Sequence, residues 1–244
     1  MEQQYRGTAL VTGASSGIGA ATAAMLARQG WRVVGAARRA DRLAQHIGTL
    51  GSGATAVTLD IADATSVDTL FKRLPDGWKT IDVLINCAGH DVGGRHRFDT
   101  GSMAEWARTI ETNAIGTMRV THAVVPGMLD RGRGHIVNIG STSSVNAYAG
   151  GAAYVASKFA LNGFTKAILA DYRGKGVRVT HIMAGLTWTE FVESRLRGDK
   201  SRADEFYGAF PVTLEPDDIA RAILYAIEQP PHVTIAEMLV IPAS

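Results

Sequence analysis

A serine, a tyrosine and a lysine occur at a spacing that could support proton transfer beside a reacting oxygen. Tyr154 and Lys158 lie four residues apart in AAYVASKFALNGFTKAIL, whose small and large apolar residues predict a helix, so both side chains share one helix face. A phenol is a poor acid or base near neutral pH, but a neighbouring ammonium favours its ionised form. We therefore expect Lys158 to lower the pKa of Tyr154.

The third residue, Ser141, follows the β-branched and apolar run HIVNIG, which predicts a strand, and so must reach Tyr154 from another element. A carbonyl oxygen held between two hydroxyl groups receives a hydrogen bond from each, which stabilises the negative charge that develops as hydride arrives at carbon. Tyr154 would then supply the proton. Tyrosine and lysine four apart also occur in ordinary helices, so this hypothesis requires a nucleotide site elsewhere in the chain.

Length and composition favour one large domain over residues 1–244. The chain has 244 residues, a formal net charge of +2 and 20% charged residues, with Arg and Lys scattered along it. No nucleic-acid partner and no metal site are therefore expected. The single cysteine, Cys87, cannot form an internal disulfide, and we interpret it as a small buried apolar residue.

The amino-terminal run MEQQYRGTALV lacks the apolar core and cleavage signal of a secretory peptide. No apolar run reaches the roughly 18 residues that a membrane-spanning helix requires. We expect a cytoplasmic protein without a membrane partner.

The first thirty residues predict a strand, a glycine turn and a helix: TALV leads into TGASSGIG, and an alanine-rich helix ends at Gly30. Gly13, Gly17 and Gly19 would let the backbone approach a pyrophosphate, whose charge is favoured by the free amides at the helix start. Glycines at such a turn can also be purely structural.

The predicted second strand indicates which dinucleotide would bind. WRVVGAA, residues 31–37, ends at Arg38 and Arg39, where many dinucleotide folds place an acidic residue for the ribose 2′-hydroxyl. Arginine there suits a 2′-phosphate and favours NADP over NAD, the alternative being two solvated arginines. A third strand, TAVTLD, ends at Asp60, which could bind an adenine amino group or cap a helix. The run SVDTLFKRL after it predicts a third crossing helix.

The run IDVLINCAG, residues 81–89, is almost uninterruptedly apolar and predicts the central strand of a parallel sheet covered on both faces. Asn86 and Gly89 at its carboxyl end would border the cofactor. Further on, Asn113 falls inside a helical apolar stripe. Its amide must find partners there, so it either secures the backbone or holds a water that relays protons to Lys158.

After the predicted sixth strand, VRVTHIM, residues 186–212 mix glycines, aromatic residues and charges over a length typical of a lid. Within this lid segment, Phe191 and Arg195 lie four apart and could face a substrate together, the arginine attracting an acidic group; the alternative is solvated lid charges. The helix PDDIARAILYAIEQ and the strand EMLVIP complete the chain. The alternation predicts an α/β fold of seven parallel strands with helices on both faces.

Nearly the whole chain resembles the single-domain branch of the short-chain dehydrogenase/reductase family. Three motifs carry the resemblance: T-G-x-x-x-G-I-G at Thr12, Gly13, Gly17, Ile18 and Gly19, the strand-four N-N-A-G at Asn86, Ala88 and Gly89, and the catalytic quartet Asn113, Ser141, Tyr154 and Lys158. There are two departures, Cys87 where a second asparagine is usual and Ala184 where the family has a proline, and both bear on how the nicotinamide is seated.

The resemblance implies a Rossmann-type doubly wound fold and an enzyme that transfers a hydride reversibly between NADP(H) and a small alcohol or carbonyl compound. In such an enzyme Ser141 would polarise the substrate oxygen, and Tyr154 would be the acid in reduction and the base in oxidation. Lys158 would also hold the nicotinamide ribose, and Asn113 would anchor a relay water. A homotetramer is implied too. The implied cofactor site comprises Thr12, Gly13, Ser15, Ser16, Gly17, Ile18, Gly19, Arg38, Arg39, Asp60, Ile61, Asn86, Ala88, Gly89, Tyr154, Lys158, Gly185 and Thr187.

A narrower likeness is to the NADP-dependent 3-hydroxy acid dehydrogenases of the serine and allo-threonine type. It is carried by IGST at 139–142, YAGG at 148–151, and TEF with Arg195, Gly198 and Asp199. It implies a small substrate with an anionic group that Arg195 binds. His90, Trp188 and Phe191, together with Ser141 and Tyr154, would shape the substrate pocket.

Three other functions could use parts of the same sequence. A noncatalytic NADP(H)-sensing protein could use the same fold, although it would have little reason to keep all four catalytic residues. A hydrolase using Ser141 would need a G-x-S-x-G elbow, which the chain lacks, and His135 and His181 fall in predicted strands. A nucleotide-sugar epimerase would need a larger carboxyl-terminal substrate domain.

Overall fold

Seven parallel strands form one sheet in the computed structural model, which describes residues 5–243. Residues 1–4 of the amino-terminal run, and residue 244, lie outside the described residues. The sheet order is β3-β2-β1-β4-β5-β6-β7, so the predicted strand at residues 81–89 is the central one. The strands are β1 Thr8–Thr12, β2 Arg32–Ala37, β3 Ala54–Thr58, β4 Val83–Asn86, β5 Gly134–Ser141, β6 Val177–Ala184 and β7 Glu237–Val240.

Helices connect the strands and cover both faces of the sheet. They are α1 Gly17–Arg28, α2 Ala40–Gly48, α3 Ala64–Asp68, α4 Leu70–Arg73, α5 Met103–Ile110, α6 Thr117–Asp130, α7 Ala152–Asp171, α8 Phe191–Arg195, α9 Lys200–Gly208 and α10 Pro216–Ile227. Among these described helices, none is long and apolar enough to cross a membrane. The predicted doubly wound α/β fold is confirmed.

Two helical predictions needed correction. The run SVDTLFKRL, expected to form one crossing helix, is divided at Thr69 into α3 and α4. The long stripe that contains Asn113 is continuous, but its middle, Glu111–Gly116, is a π-helical turn between α5 and α6. Such turns often occur at functional sites, and periodicity cannot reveal one because each flanking residue keeps helical backbone angles.

Alternate residues of the strands enter two separate cores, as expected for a sheet covered on both faces. In β1, Ala9 and Val11 pack towards α1, α2 and α10. Leu10, between them, packs towards α3, α4, α6 and α7. The burial of a leucine side chain stabilises the fold by about 1.5–3 kcal/mol, so both cores hold the strand ends in place for the site.

The lid segment forms a small core of its own. Val192 of α8 and Ala203 and Tyr207 of α9 are buried against one another, with Leu186 and Phe206 packed beside them. This cluster is separate from the two cores of the sheet. The segment therefore has its own apolar support, which fits the prediction that it acts as a lid.

Candidate active site

A cleft of about 350 Å³ opens at the carboxyl ends of β1 and β4, where the strand order reverses. This switch point is where open α/β sheets bind ligands. Most of the predicted cofactor residues line the cleft: Gly13, Ser15, Ser16, Gly17, Ile18, Gly19, Arg38, Arg39, Asp60, Ile61, Ala88 and Gly89. His90 and Phe191, predicted to shape the substrate pocket, line it as well.

The glycine turn is required by the protein's own packing. Gly13 has a φ of +73°, and a Cβ there would lie 3.0 Å from the backbone of Ala88. A Cβ at Gly19 would lie 2.4 Å from the carbonyl oxygen of Gly13. The structural interpretation is therefore seen in the packing, and since these glycines also line the cleft, the binding interpretation stays a prediction.

Thr12 ties the turn to the central strand from behind the cleft. Its hydroxyl accepts hydrogen bonds from the backbone N–H groups of Cys87, at 3.0 Å, and Ala88, at 3.1 Å. The threonine is buried and positions the cleft without lining it. Cys87 itself is only partly buried and lines the cleft, which corrects the expectation of a buried residue. Desolvation raises the pKa of its thiol to about 12, so the thiol is neutral near pH 7.

Two arginines, Arg38 and Arg39, line one end of the cleft, and Arg42 lies beside them outside its wall, bound to the same carboxylate as Arg39. These three residues are named here the arginine corner. Arg38 has no ion-pair partner among the described residues. Arg39 donates to Ser16 Oγ at 2.6 Å and forms an ion pair of 3.0 Å with Glu190 of the lid segment. Arg42 pairs with the same carboxylate. Sequence reasoning missed both Arg42 and Glu190.

Asp60 lines the cleft next to Ile61, and its Oδ1 accepts a hydrogen bond of 3.0 Å from the backbone N–H of Ala62. This contact closes a turn and caps no helix, since the N-cap of α3 is Asp63, whose side chain accepts a hydrogen bond from the backbone N–H of Thr65. The second carboxylate oxygen has no partner among the described residues, which leaves the adenine alternative as a prediction.

Ser141, Tyr154 and Lys158 come together as predicted. Ser141 ends β5, and a side-chain hydrogen bond joins it to Tyr154 on α7. Lys158, one turn further along α7, has its Nζ 5.8 Å from the Tyr154 ring centroid and donates a hydrogen bond of 2.9 Å to the carbonyl of Ile139. Tyr154 and Lys158 are buried.

The expected lowering of the tyrosine pKa by Lys158 is not what the structure shows. Burial raises the pKa of Tyr154 above its usual range, opposed by the hydrogen bond to Ser141 and by the charge of Arg195. Burial also lowers the pKa of Lys158 to about 8. Desolvation therefore outweighs the attraction that the helix spacing suggested, and Tyr154 keeps its proton near neutral pH.

Asn113 secures the backbone, one of the two alternatives that its position left open. Its Oδ1 accepts from the backbone N–H of His90 and its Nδ2 donates to the His90 carbonyl, both at 2.9 Å. Nδ2 also donates to Ser157 Oγ at 3.0 Å. A Cβ at Gly89 would lie 3.0 Å from Asn113 Oδ1, a tight contact, and 4.0 Å from Lys158 Nζ, an ordinary one, so a larger residue here would press on Asn113.

His90 is held as a neutral ring. Burial and the charges of Arg38 and Arg108 lower its pKa to about 4. Its Nδ1 accepts from the backbone N–H of Val92, which assigns the ring hydrogen to Nε2, 3.1 Å from Thr112 Oγ1. The histidine thus lines the cleft as a fixed polar wall rather than as a base.

Phe191 and Arg195 lie against Tyr154. The Phe191 ring packs edge-on to the tyrosine with centroids 5.5 Å apart, and Arg195 Cζ lies 5.8 Å from the tyrosine ring centroid. Arg195 Nε donates to Asp91 Oδ2 at 2.7 Å, and the two side chains are only 10% and 6% exposed. The arginine is therefore not a solvated lid charge. Asp91, which no sequence signal identified, pairs with its Nε, and neither Nη group has a hydrogen bond among the described residues.

Some predicted residues do not line this cleft. Asn86 faces the interior and donates to Thr121 Oγ1 and Asn138 Oδ1. Trp188 is 43% exposed and stacks on Tyr207 within the lid segment. These placements follow from side-chain partners on neighbouring elements, which strand patterns do not specify.

Two predicted cofactor residues in the loop after β6 do not line the cleft either. A Cβ at Gly185 would lie 3.0 Å from the carbonyl oxygen of Val240, so this glycine allows the loop to pack on the end of β7. The Thr187 hydroxyl donates to the Gly185 carbonyl. In the described structure, neither residue is a wall of the cleft, and their cofactor roles stay predictions.

With a doubly wound sheet, a switch-point cleft and a Ser-Tyr-Lys cluster beside it, the protein has the form of a nucleotide-dependent oxidoreductase. The profile of the short chain dehydrogenase family matches residues 7–200. The chain belongs to this family and is an oxidoreductase.

Individual relatives agree with this assignment. The chain is 37% identical to a serine 3-dehydrogenase from Rhizobium radiobacter over 239 residues, covering 98% of this chain and 94% of the relative. It is 36% identical to the NADP-dependent 3-hydroxy acid dehydrogenase YdfG of Escherichia coli (strain K12) over 236 residues, covering 96% and 94%. Nothing in these matches supports a noncatalytic protein.

A solved structure described as the closed form of serine dehydrogenase complexed with NADP+ superimposes with a TM-score of 0.93 at 36% identity, covering 96% of this chain and 94% of that one. A metagenomic short-chain oxidoreductase in complex with NADP gives a TM-score of 0.81 at 30% identity, with 98% of each chain covered.

Proposed function

We propose that the protein transfers a hydride between NADP(H) and a small 3-hydroxy acid, or a related small anionic aldehyde or ketone. The observation that carries the proposal is the placement of one guanidinium, Arg195, against the phenol of Tyr154, next to a cleft that ends in arginines. The relatives named as serine and 3-hydroxy acid dehydrogenases support it.

The residues of the cleft fit an NADP-type cofactor. Helix α1 begins at Gly17 beside the cleft and has no acidic residue in its first turn, so its free amides favour a pyrophosphate. Arg38 and Arg39 supply guanidinium groups for a 2′-phosphate. Lys158 would hold the nicotinamide ribose. When bound, the cofactor supplies or accepts the hydride.

The catalytic roles follow from protonation states. Tyr154 keeps its proton because burial raises its pKa, so its hydroxyl would donate that proton to the substrate oxygen in reduction. In oxidation the base would be the phenolate, formed when the tyrosine proton passes to the relay water, and it would take the proton of the substrate hydroxyl. Ser141 donates a second hydrogen bond to the same oxygen and stabilises its negative charge. Asn113 Oδ1 accepts one hydrogen bond among the described residues, from the His90 N–H, and would use its second lone pair to anchor the water that replaces the proton.

Arg195 would bind the acidic group of the substrate, with Asp91 fixing the guanidinium beside Tyr154. Replacing Arg195 by glutamine should lower kcat/KM for a 3-hydroxy acid by about 10- to 100-fold, because a charge-assisted hydrogen bond is lost. The methyl ester of the same acid, which carries no charge, should be affected no more than about threefold. Steady-state kinetics on the acid and its ester measure this difference.

Arg197 provides a matched control for that experiment. It is another arginine of the lid segment, but it pairs with Glu105 at 2.8 Å, outside the cleft. Arg197→Gln should leave the ratio of acid to ester activity unchanged. An equal loss on acid and ester in Arg195→Gln would show that the arginine only supports the lid segment and would refute its role in substrate binding.

Cofactor choice tests the nucleotide part of the proposal. Titration of the purified protein with NADPH and with NADH, followed by nicotinamide fluorescence, should give about 10- to 100-fold tighter binding of NADPH. Only NADPH carries a ribose 2′-phosphate that the arginine corner can bind. Turnover of a panel of hydroxy acids and small aldehydes then tests the substrate class. Tighter binding of NADH would overturn the assignment of the arginine corner.

The lid role of residues 186–212, the single catalytic domain over residues 1–244, the cytoplasmic location and the homotetramer stay proposals. Exposed apolar side chains support the homotetramer, since Ile110, Ile115 and Phe159 lie on the α5–α6 stretch and α7. Light scattering coupled to size-exclusion chromatography measures the mass in solution, and a monomer would refute the tetramer.

A further inference from the structure

A carboxylate of the lid segment already occupies the arginine corner. Glu190 Oε2 accepts hydrogen bonds from Arg39 Nη1 at 3.0 Å and from Arg42 Nη1 at 2.9 Å, while Arg42 also donates to Oε1. The hydrogen bond to Arg42 is the main cause that lowers the pKa of Glu190. The carboxylate is therefore charged at neutral pH and pairs with two guanidinium groups at once.

The same groups form a natural site for a phosphate monoester. Arg39 also donates to Ser15 Oγ at 3.2 Å and to Ser16 Oγ at 2.6 Å, at the glycine turn that lines the cleft. Guanidinium forks and hydroxyl groups are the donors that proteins use to bind phosphate oxygens. The guanidinium edges that pair with Glu190 cannot pair with a phosphate at the same time.

We propose that Glu190 determines cofactor specificity by competing with the ribose 2′-phosphate for Arg39 and Arg42. This inference rests on the proposed NADP(H) dependence. A phosphate must displace the carboxylate before it binds, so the apparent Kd for the phosphorylated cofactor is the intrinsic Kd divided by the fraction of protein in which the arginines are free of Glu190. A cofactor without the phosphate meets no such competitor. Glu190 thus lowers the preference of the protein for NADPH over NADH.

The test is the pair of dissociation constants in Glu190→Gln. Glutamine keeps the size of the side chain, and Glu190 is at the surface, so the fold is retained. NADPH should bind about 3- to 10-fold more tightly than in the wild type, the effect of removing two exposed ion pairs. The Kd for NADH should change by less than about twofold. Fluorescence titration of both nucleotides gives the two values directly.

Glu193→Gln is the matched control for loss of charge. Glu193 lies in α8, the helix that Glu190 directly precedes, and acts on Arg42 only through its charge, without a hydrogen bond to either arginine. The control should leave the ratio of the two constants unchanged. A second test uses the Arg42→Gln background, in which Glu190→Gln should tighten NADPH binding less than it does in the wild-type background.

Two results would overturn the inference. Weaker NADPH binding in Glu190→Gln would mean that the carboxylate orients the arginines for phosphate, and equal tightening in Glu193→Gln would mean that only overall charge matters. Failure of the proposed cofactor is a separate result, namely a wild-type protein that prefers NADH. If Glu190→Gln then shifted that protein towards NADPH, the competition would still be supported.

Discussion

Replacing Tyr154 with phenylalanine should lower kcat by about 10²- to 10⁴-fold, the usual contribution of a positioned acid or base. Phenylalanine keeps the ring that packs against Phe191 and lies beside Arg195, and removes only the hydroxyl joined to Ser141. The Kd for NADPH should therefore stay within about twofold of the wild-type value. Steady-state kinetics and fluorescence titration of the same preparation measure both quantities.

Tyr225→Phe removes the same group from a tyrosine on α10 that is 55% exposed, and it should leave both kcat and the NADPH Kd unchanged. A Tyr154→Phe enzyme that kept its rate would exclude Tyr154 as the proton donor. A variant that lost NADPH binding together with its rate would instead show that the hydroxyl group organises the cleft.

Lys158→Met should lower kcat/KM by about 10²-fold or more without lowering stability at pH 7. The lysine is buried, and burial lowers its pKa from 10.5 to about 8, so the folded protein bears a cost for keeping the ammonium. A pKa difference of this size between the folded and the unfolded chain corresponds to about 2–4 kcal/mol of stability. Methionine removes that cost, which offsets the lost hydrogen bond to the Ile139 carbonyl, itself worth about 1–3 kcal/mol.

The pH dependence of this effect has a definite sign. Below pH 8 the lysine is protonated in both the folded and the unfolded chain, and the wild type bears the full cost. Between pH 8 and 10.5 the unfolded chain binds more protons, so the free energy of unfolding rises with pH. The wild type should therefore gain about 2–4 kcal/mol relative to Lys158→Met across this window.

Denaturant unfolding of both proteins at pH 7.5, 9 and 10.5, which are about the ends and middle of that window, measures the change. Lys166→Met is the matched control, because Lys166 lies on the same helix with an exposed side chain that pairs with Glu237 at 3.0 Å. It should show no such relative shift. A constant difference between wild type and Lys158→Met at all three pH values would refute the lowered lysine pKa.

The fold was predictable because its determinants are local. Apolar runs such as residues 81–89 can be satisfied only where both strand faces are covered, and the structure places that run, β4, at the centre of the sheet. The break at Thr69 and the π-helical turn around Asn113 were not predictable, since both stretches also suit an ordinary helix. Packing against neighbouring elements decided between the two conformations.

The family, the order of the strands along the chain, and the spacing of Ser141, Tyr154 and Lys158 could all be read from the residues in order. The balance of charges around them depends on tertiary contacts. Asp91 meets Arg195 although 104 positions separate them, and Glu190 meets Arg42 across 148 positions. Spacing within one helix fixes which side chains are neighbours, but burial and partners from distant loops fix their protonation, because both depend on the path of the whole chain.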